Sequence, residues 1–226
     1  MIKSKKFIYL IATSLAAVCL LYLVEQFAGV NYLVKTLLKI TLFIAIPILY
    51  SRLIKKENAL TSLKLKRDSN LKLGVFLGLA SFVIVVIAYL IFKNAIDFNA
   101  IIDEMQNKSK ITAANFIFVG LYVTFFNSFL EEYFFRGYIF LSFYNAGQKK
   151  LAYFYSSVLF AVYHIGIFKT WFKPYITLLA MLGLIIIGLV FNYVDVKSKN
   201  LLNSWLIHIL ADSAIILIGL RLFKFI

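Results

Sequence analysis

The sequence predicts an all-α integral membrane protein, a polytopic bundle of about seven transmembrane helices. Of its 226 residues, 62% are hydrophobic and only 15% are charged, and the mean hydropathy is +0.89. Soluble domains are nearer half apolar and about a quarter charged. Apolar runs close to the roughly 20 residues that a helix needs to cross a bilayer recur along the whole chain. The runs are continuously apolar and lack the alternation of barrel strands, which argues against a β-barrel.

The first apolar run, residues 7–24, follows a basic N-terminus and therefore has some features of a secretory signal peptide. It is longer than the usual apolar core of such a peptide, and no small-x-small cleavage site follows it. We therefore expect it to be retained as the first transmembrane helix. It contains Cys19, the only cysteine, so the sequence offers neither a disulfide framework nor a thiolate zinc site.

Seven spans are predicted, and the fourth is unusually long. They cover residues 7–24, 36–54, 73–92, 112–143, 151–168, 175–194 and 201–220. At about 1.5 Å per residue the fourth exceeds one upright crossing, so it must tilt, break or project beyond the bilayer. No internal repeat or linker divides the chain. We treat 1–226 as one integral membrane domain, with supporting spans in 1–110 and the polar core in 111–226.

The net charge of +14 reflects loop lysines and arginines and does not indicate nucleic-acid binding. The segment 52–72 alone carries seven basic and two acidic residues. With a cytoplasmic N-terminus, the cytoplasmic segments hold fourteen positive charges and the external segments seven, in the expected direction. Segment 93–110 is nearly balanced and suits an external loop, whereas Lys35 and Lys39 fit this orientation less well. The bias towards Lys, Asn, Ile and Phe suggests a bacterial cell membrane.

A small set of ionisable residues is predicted to lie deep in the membrane. Three acidic residues and both histidines fall within apolar segments: Glu131, Glu132, Asp212, His164 and His208. Each charged group in hydrocarbon costs at least about 2.5–3.5 kcal/mol on insertion scales, so such residues usually face a bundle interior and serve a function. We therefore expect them, together with Arg136, to form one site.

Helical spacing assigns partners within the long fourth span. Glu132 and Arg136 are four residues apart, so they lie on one face and can form an ion pair. Glu131 points about 100° away from that face and is free for a different role. Asn127 lies one turn before Glu131 on its own face. The Glu132–Arg136 pair is thus predicted to support the site, and Glu131 to act in it.

The last span has a polar stripe formed by Ser204, His208 and Asp212, and His164 comes from a third helix. A carboxylate and two imidazoles can ligate a divalent metal that activates water, with Glu131, His164 and His208 as the ligands. Alternatively, the carboxylate is a general base assisted by a histidine, and a second polar group stabilises an oxyanion. Either arrangement suits hydrolysis of a peptide bond in a shielded cavity.

Other functions remain open from the residues alone. A Glu–Arg pair in a membrane can simply join helices, and a lone buried histidine is often a packing residue. A non-enzymatic immunity or scaffold protein would fit those roles. A proton- or ion-coupled transporter also uses intramembrane Glu, His and Asp, although no repeat or pair of Gly/Pro-broken helices is visible.

Three motifs together resemble the signature of the CPBP intramembrane proteases, also called the Abi family. They are Glu131-Glu132-x-x-x-Arg136, Phe160-x-x-x-His164 and His208-x-x-x-Asp212. The family includes CAAX prenyl endoproteases and bacteriocin-processing or self-immunity proteins, and the resemblance covers residues 112–220. It implies that Glu131 activates water with help from His164. It also implies that His208 and residue 212 stabilise the oxyanion, and that Glu132 and Arg136 hold the geometry.

One position departs from the CAAX-processing branch, which often has Asn where this chain has Asp212. An ionised Asp cannot donate a hydrogen bond to an oxyanion. Asp212 must therefore be protonated, orient His208 or help to bind a metal. The resemblance implies no cofactor for a glutamate-type enzyme, with zinc as the alternative. The expected partners are the lipid bilayer and a membrane-associated protein or peptide, of CAAX, bacteriocin or pheromone type.

The predicted spans leave the two histidines at different depths. Counted from the cytoplasmic ends, His164 is about 13 residues into its span and His208 about 7, a difference of about 9 Å at helical rise. A single site requires helix tilt or a different boundary to remove this difference.

Overall fold

The computed structural model describes residues 2–55 and 70–226, which form eight helices and no β-strand. The helices are α1 (Ile2–Phe27), α2 (Tyr32–Tyr50), α3 (Lys72–Phe92), α4 (Phe98–Asn107), α5 (Ala113–Asn145), α6 (Lys149–Trp171), α7 (Pro174–Ser198) and α8 (Leu202–Leu222). All except α4 are long and apolar enough to cross a bilayer, so seven described helices match the seven predicted spans. The predicted all-α integral membrane fold is confirmed. Most of the predicted basic segment 52–72 lies outside the described residues.

The segment predicted as an external loop, 93–110, contains the short helix α4. Asp97 begins this helix, and its side chain accepts a hydrogen bond from the backbone N–H of Ala100 at 3.1 Å. Ile101 is buried, and the ring of Phe98 packs on Tyr89 of α3 at 5.6 Å. Asp103 and Glu104 therefore lie on a short amphipathic helix with one apolar face against the bundle, and the lysines of this segment flank the helix.

The long fourth span is one unbroken helical segment, α5. It begins at a capping box in which Thr112 and Asn115 bond each other's backbone N–H groups. Two stretches, Tyr122–Asn127 and Glu132–Phe140, have the wider π-helical winding, and a single α-helical turn, Ser128–Glu131, separates them. π-helical turns are rare and often occur at functional sites. The turn between these two stretches ends at Glu131, next to Glu132.

The second half of α5 is the centre of the bundle. Every residue from Glu132 to Phe140 is buried, including two charged side chains. By contrast, large apolar side chains on the outside of the bundle are well exposed, as Phe76 and Phe118 are. An apolar exterior around a polar, charged interior is the arrangement expected when the surrounding solvent is lipid.

Helices α6 and α7 approach each other closely. A Cβ atom added to Gly188 of α7 would lie 3.1 Å from the Cα atom of Ser157 in α6, so glycine permits this contact. The amide of Asn192 also donates to the Ser157 hydroxyl at 3.1 Å. Gly188 thus permits the close approach of α6 and α7. At Gly183 an added Cβ atom would meet no described atom within 4 Å.

Candidate active site

The six predicted site residues lie in one cluster inside the bundle. They come from three helices: Glu131, Glu132 and Arg136 from α5, His164 from α6, and His208 and Asp212 from α8. The Nε2 atoms of both histidines lie 3.8 Å from the same atom, Oε2 of Glu131. The depth difference expected from the span boundaries is therefore removed by the way the helices pack.

One carboxylate oxygen of Glu131 is held by three donors. Its Oε1 atom accepts a hydrogen bond from the Asn127 amide at 2.9 Å. The ammonium of Lys39, in α2, and the hydroxyl of Tyr163, in α6, also donate to Oε1, both at 3.3 Å. The sequence places Asn127 one turn before Glu131 on the same helix face, and in the structure the two side chains form this hydrogen bond. Three helices thus fix the orientation of this carboxylate.

The other oxygen of Glu131 faces the histidines. Oε2 is buried and makes no hydrogen bond to any described residue. Its distances of 3.8 Å to His164 Nε2 and His208 Nε2 are too long for direct hydrogen bonds. Polar atoms at such separations can be joined through one water molecule. Glu131 therefore has one oxygen anchored and one directed at the point where both imidazoles converge.

His164 is oriented by its own helix and by aromatic rings. Its Nδ1 atom lies 2.8 Å from the backbone carbonyl of Phe160, one turn earlier. The rings of Phe160 and Tyr163 pack edge-on against the imidazole at 4.8 and 4.9 Å. Because a carbonyl oxygen only accepts, Nδ1 carries the proton. The Nε2 atom of neutral His164 is then an acceptor that points towards Glu131.

Glu132 and Arg136 form the predicted ion pair, with 3.3 Å between Glu132 Oε1 and Arg136 Nη1. Both side chains are completely buried. The guanidinium lies against the rings of Phe160 and Phe191, at 4.1 and 4.6 Å from their centroids. Desolvated cation–π contacts of this kind are each worth about 2 kcal/mol. The aromatic rings therefore offset part of the cost of burying the arginine.

His208 is oriented by Glu132. Its Nδ1 atom lies 2.8 Å from Glu132 Oε1, a direct hydrogen bond, and its ring stacks on Phe191 at 5.6 Å. Asp212, one turn later, has its Oδ2 atom 3.8 Å from His208 Nε2, beyond hydrogen-bond range. That oxygen is buried and has no hydrogen-bond partner among the described residues. The hydrogen bond that orients His208 thus comes from Glu132, and Asp212 lies on the Nε2 side of the imidazole.

Residues 113–214 match the family model for Rce1-like type II CAAX prenyl endopeptidases. The match lies in the C-terminal part of the chain and covers a little less than half of it. The predicted resemblance to the CPBP/CAAX proteases is thereby confirmed. A search of curated proteins and a search of solved structures each gave no significant match. The matched region begins with α5 and includes all six predicted site residues.

Sequence reasoning missed three polar residues at the candidate site. Lys39 was noted only because its charge fits the predicted orientation poorly, although it is the one lysine inside the second predicted span. Tyr163 lies in the fifth predicted span, where nothing distinguishes it from the other tyrosines among the fourteen of the chain. Asp195 lies just beyond the sixth predicted span, but α7 continues to Ser198, and Asp195 is buried and interacts electrostatically with Arg136. Among the described residues, Asp195 is thus a fourth buried acidic side chain beside Glu131, Glu132 and Asp212.

The metal ligands suggested by the sequence are Glu131, His164 and His208. In the described part of the chain, no group of three or more His, Cys, Asp or Glu side chains has an arrangement that could hold a metal ion. The Lys39 ammonium on Glu131 adds a fixed positive charge that opposes a divalent cation there. Both observations disfavour zinc at Glu131, and zinc dependence stays a prediction that chelation can test.

Proposed function

We propose that this chain is an intramembrane endopeptidase that hydrolyses a peptide bond in a membrane-associated protein or peptide. The family match supports a protease role in general. The observation that carries the proposal is the asymmetry of Glu131: Oε1 is held by three donors, while Oε2 faces the Nε2 atoms of His164 and His208. A carboxylate held in this way inside a membrane bundle suits general-base chemistry.

Glu131 and His164 activate the attacking water in this proposal. A water molecule between Glu131 Oε2 and His164 Nε2 donates one hydrogen bond to each of these acceptors. Its lone pair is then directed at the scissile carbonyl carbon. As the C–O bond forms, the water's proton moves to Glu131 Oε2. His164 needs to be neutral, and the hydrogen bond from its Nδ1 to the Phe160 carbonyl selects the tautomer with a free Nε2 lone pair.

His208 and Asp212 stabilise the oxyanion in this proposal. Glu132 accepts the Nδ1 proton of His208, so an imidazolium would present its second proton on Nε2, towards Asp212 and Glu131. Protonated Asp212 would be the second donor, in the position where CAAX-processing relatives often have Asn. Preorganised donors of this kind lower the barrier to acyl transfer by about 2.7–4 kcal/mol each.

Charge balance indicates that one carboxyl group of the site holds a proton. With His208 as imidazolium, the ionisable groups of the site are three cations and four carboxyl groups: Lys39, Arg136 and His208, and Glu131, Glu132, Asp195 and Asp212. An unbalanced charge in hydrocarbon is costly, so one carboxyl group is expected to hold a proton. Asp195 and Asp212 both have buried oxygens with no hydrogen-bond partner among the described residues. We assign the proton to Asp212 because its Oδ2 lies 3.8 Å from His208 Nε2, where it would be a second donor to the oxyanion.

Collapse of the tetrahedral intermediate completes the reaction. The C–N bond breaks, and the proton held on Glu131 passes to the leaving amine, so the carboxylate is regenerated. The products are a carboxylic acid and an amine, and one water is consumed. CAAX-type prenylated tails are one candidate substrate class, because of the family match, and bacteriocin or pheromone precursors are another. Both place the scissile bond at the membrane.

The test is cleavage by the purified full chain in proteoliposomes. The probes are a quenched fluorescent peptide with a farnesylated C-terminal CAAX sequence and a non-prenylated transmembrane peptide, with mass spectrometry of the products. We expect cleavage of at least one probe, and its loss in Glu131→Gln and His164→Ala. Glu104→Gln, in α4, is the matched control and should retain activity. Full activity in the Glu131→Gln variant would overturn the proposal.

Metal dependence is tested in the same assay. Treatment with 1,10-phenanthroline or EDTA should leave cleavage unchanged if Glu131 acts without a metal. Loss of cleavage that is restored by added Zn²⁺ would contradict the metal-free mechanism while leaving the protease role intact. If neither probe is cleaved but expression still protects cells against a peptide toxin, including in the Glu131→Gln variant, the immunity or scaffold function replaces the enzyme.

A further inference from the structure

We propose that Lys39 is a positioning residue for the reaction, although it lies outside the region that matches the Rce1-like family. It would fix one oxygen of Glu131 and so aim the other at the attacking water. This inference rests on the proposed function for its effect on catalysis. The contacts that carry it do not depend on that function.

Lys39 belongs to α2, in the half of the chain expected only to support the bundle. Its Nζ atom lies 2.6 Å from Asn127 Oδ1 and 3.3 Å from Glu131 Oε1, and 5.1 Å from the centroid of the Tyr163 ring. The Lys39 side chain is 18% exposed and that of Glu131 3%. A lysine this far inside a membrane span needs a partner, and its partners are two groups of the site.

Lys39 also determines which way the Asn127 amide faces. An amide has one acceptor end and one donor end, and an ammonium can only donate. Because Lys39 occupies Oδ1 of Asn127, the Nδ2 end must face Glu131, where it donates to Oε1 at 2.9 Å. Lys39 therefore acts on Oε1 twice, once directly and once through Asn127.

Anchoring one oxygen orients the other. A carboxylate rotates readily about its last torsion angle, which is broad and roughly two-fold. Without donors on Oε1, the carboxylate plane could turn to other angles, and an oxygen would not stay directed at the histidines. Small errors in the position of a reacting group cost large factors in rate, so loss of this anchor should appear in kcat more than in KM.

Lys35 offers a matched control one turn earlier in α2. It forms an ion pair of 2.7 Å with Glu25 of α1, and this pair does not include any residue of the proposed mechanism. Both lysines lie on the same helix and both have a carboxylate partner. They differ in whether that partner is Glu131.

The first experiment compares Lys39→Met, Lys39→Arg and Lys35→Met in the proteoliposome cleavage assay. We expect Lys39→Met to lower kcat by about 30- to 300-fold with KM within threefold, on the scale of a lost charged contact at a reacting group. Lys39→Arg should recover at least a tenth of wild-type kcat, and Lys35→Met should stay within twofold. A kcat for Lys39→Met within threefold of wild type, or for Lys39→Arg as low as for Lys39→Met, would overturn the positioning role.

A second readout does not need enzymatic activity. Thermal unfolding in detergent of wild type, Lys39→Met, Glu131→Gln and the double variant forms a double-mutant cycle. If the two side chains interact, the double variant should have a Tm about 2–8 °C above the additive expectation, because neither buried charge is left without its partner. Additive shifts would contradict the pair. An inactive wild-type protein with a non-additive cycle would reject the proposed function, and with it the catalytic role of Lys39, but not the contact.

Discussion

Two adjacent glutamates in α5, Glu131 and Glu132, have opposite surroundings. Glu131 has three donors on one oxygen and none on the other, which faces two histidine Nε2 atoms. Glu132 uses one oxygen, Oε1, for both Arg136 and the Nδ1 atom of His208. Both are almost completely buried.

This difference assigns proton transfer to Glu131 and the positioning of neighbouring charged groups to Glu132. Glu131 has an oxygen that is directed at the centre of the site and can take and return a proton. Glu132 lies between an imidazole and a guanidinium that contacts two aromatic rings, and it sets their positions. Substitutions in the Glu131 surroundings should therefore act mainly on kcat, and those in the Glu132 surroundings mainly on stability.

Glu131→Gln should have the largest effect on activity. The amide keeps the size of the side chain but cannot accept the proton of water, so kcat should fall by about 10²- to 10⁴-fold. Single-turnover cleavage of the peptide probe measures the chemical step. Weaker substrate binding with an unchanged rate of the chemical step would show that Glu131 is not the base. Glu131 and Glu132 would then not differ in the way proposed.

Glu132→Gln should mainly reduce stability. Arg136 would lose its closest carboxylate inside the bundle, and breaking a buried pair by removing one partner costs about 3–5 kcal/mol. Chemical denaturation in detergent measures the change in the free energy of unfolding. Unchanged stability together with complete loss of cleavage would mean that Glu132 takes part in the chemistry itself.

The Asp212 pair of variants tests oxyanion stabilisation on the Nε2 side of His208. Asp212→Ala removes a donor and should lower kcat by about 10²- to 10³-fold. Asp212→Asn keeps a donor at that position and should retain kcat within about tenfold of wild type. Steady-state kinetics with one probe measure kcat for both variants. Equal losses in the two variants would argue against a protonated, donating Asp212.

Phe191→Leu should have the smallest effect, again on stability. It removes one of the two rings that cover the Arg136 guanidinium while leaving an apolar side chain in place. The lost cation–π contact should lower the free energy of unfolding by about 1–2 kcal/mol. The same substitution at Phe168, which packs near His164 at 5.9 Å and not on Arg136, serves as the control and should cost less.

The sequence by itself determined the features that depend on neighbouring residues along the chain. Hydropathy predicted seven membrane helices, because crossing a bilayer imposes length and apolarity on each segment separately. Spacing of four predicted the Glu132–Arg136 pair and placed Asn127 on the same helix face as Glu131, since both relations lie within one helix. The three motifs also indicated the family to which residues 113–214 match.

Only the tertiary structure decided which oxygen of Glu131 is free, that Lys39 anchors the other, and that Glu132 orients His208. These contacts join different helices. They depend on the rotation and axial offset of each helix against its neighbours, and in α5 on two π-helical stretches that change the direction of the side chains. No periodicity within a single span carries that information, because packing between helices sets it.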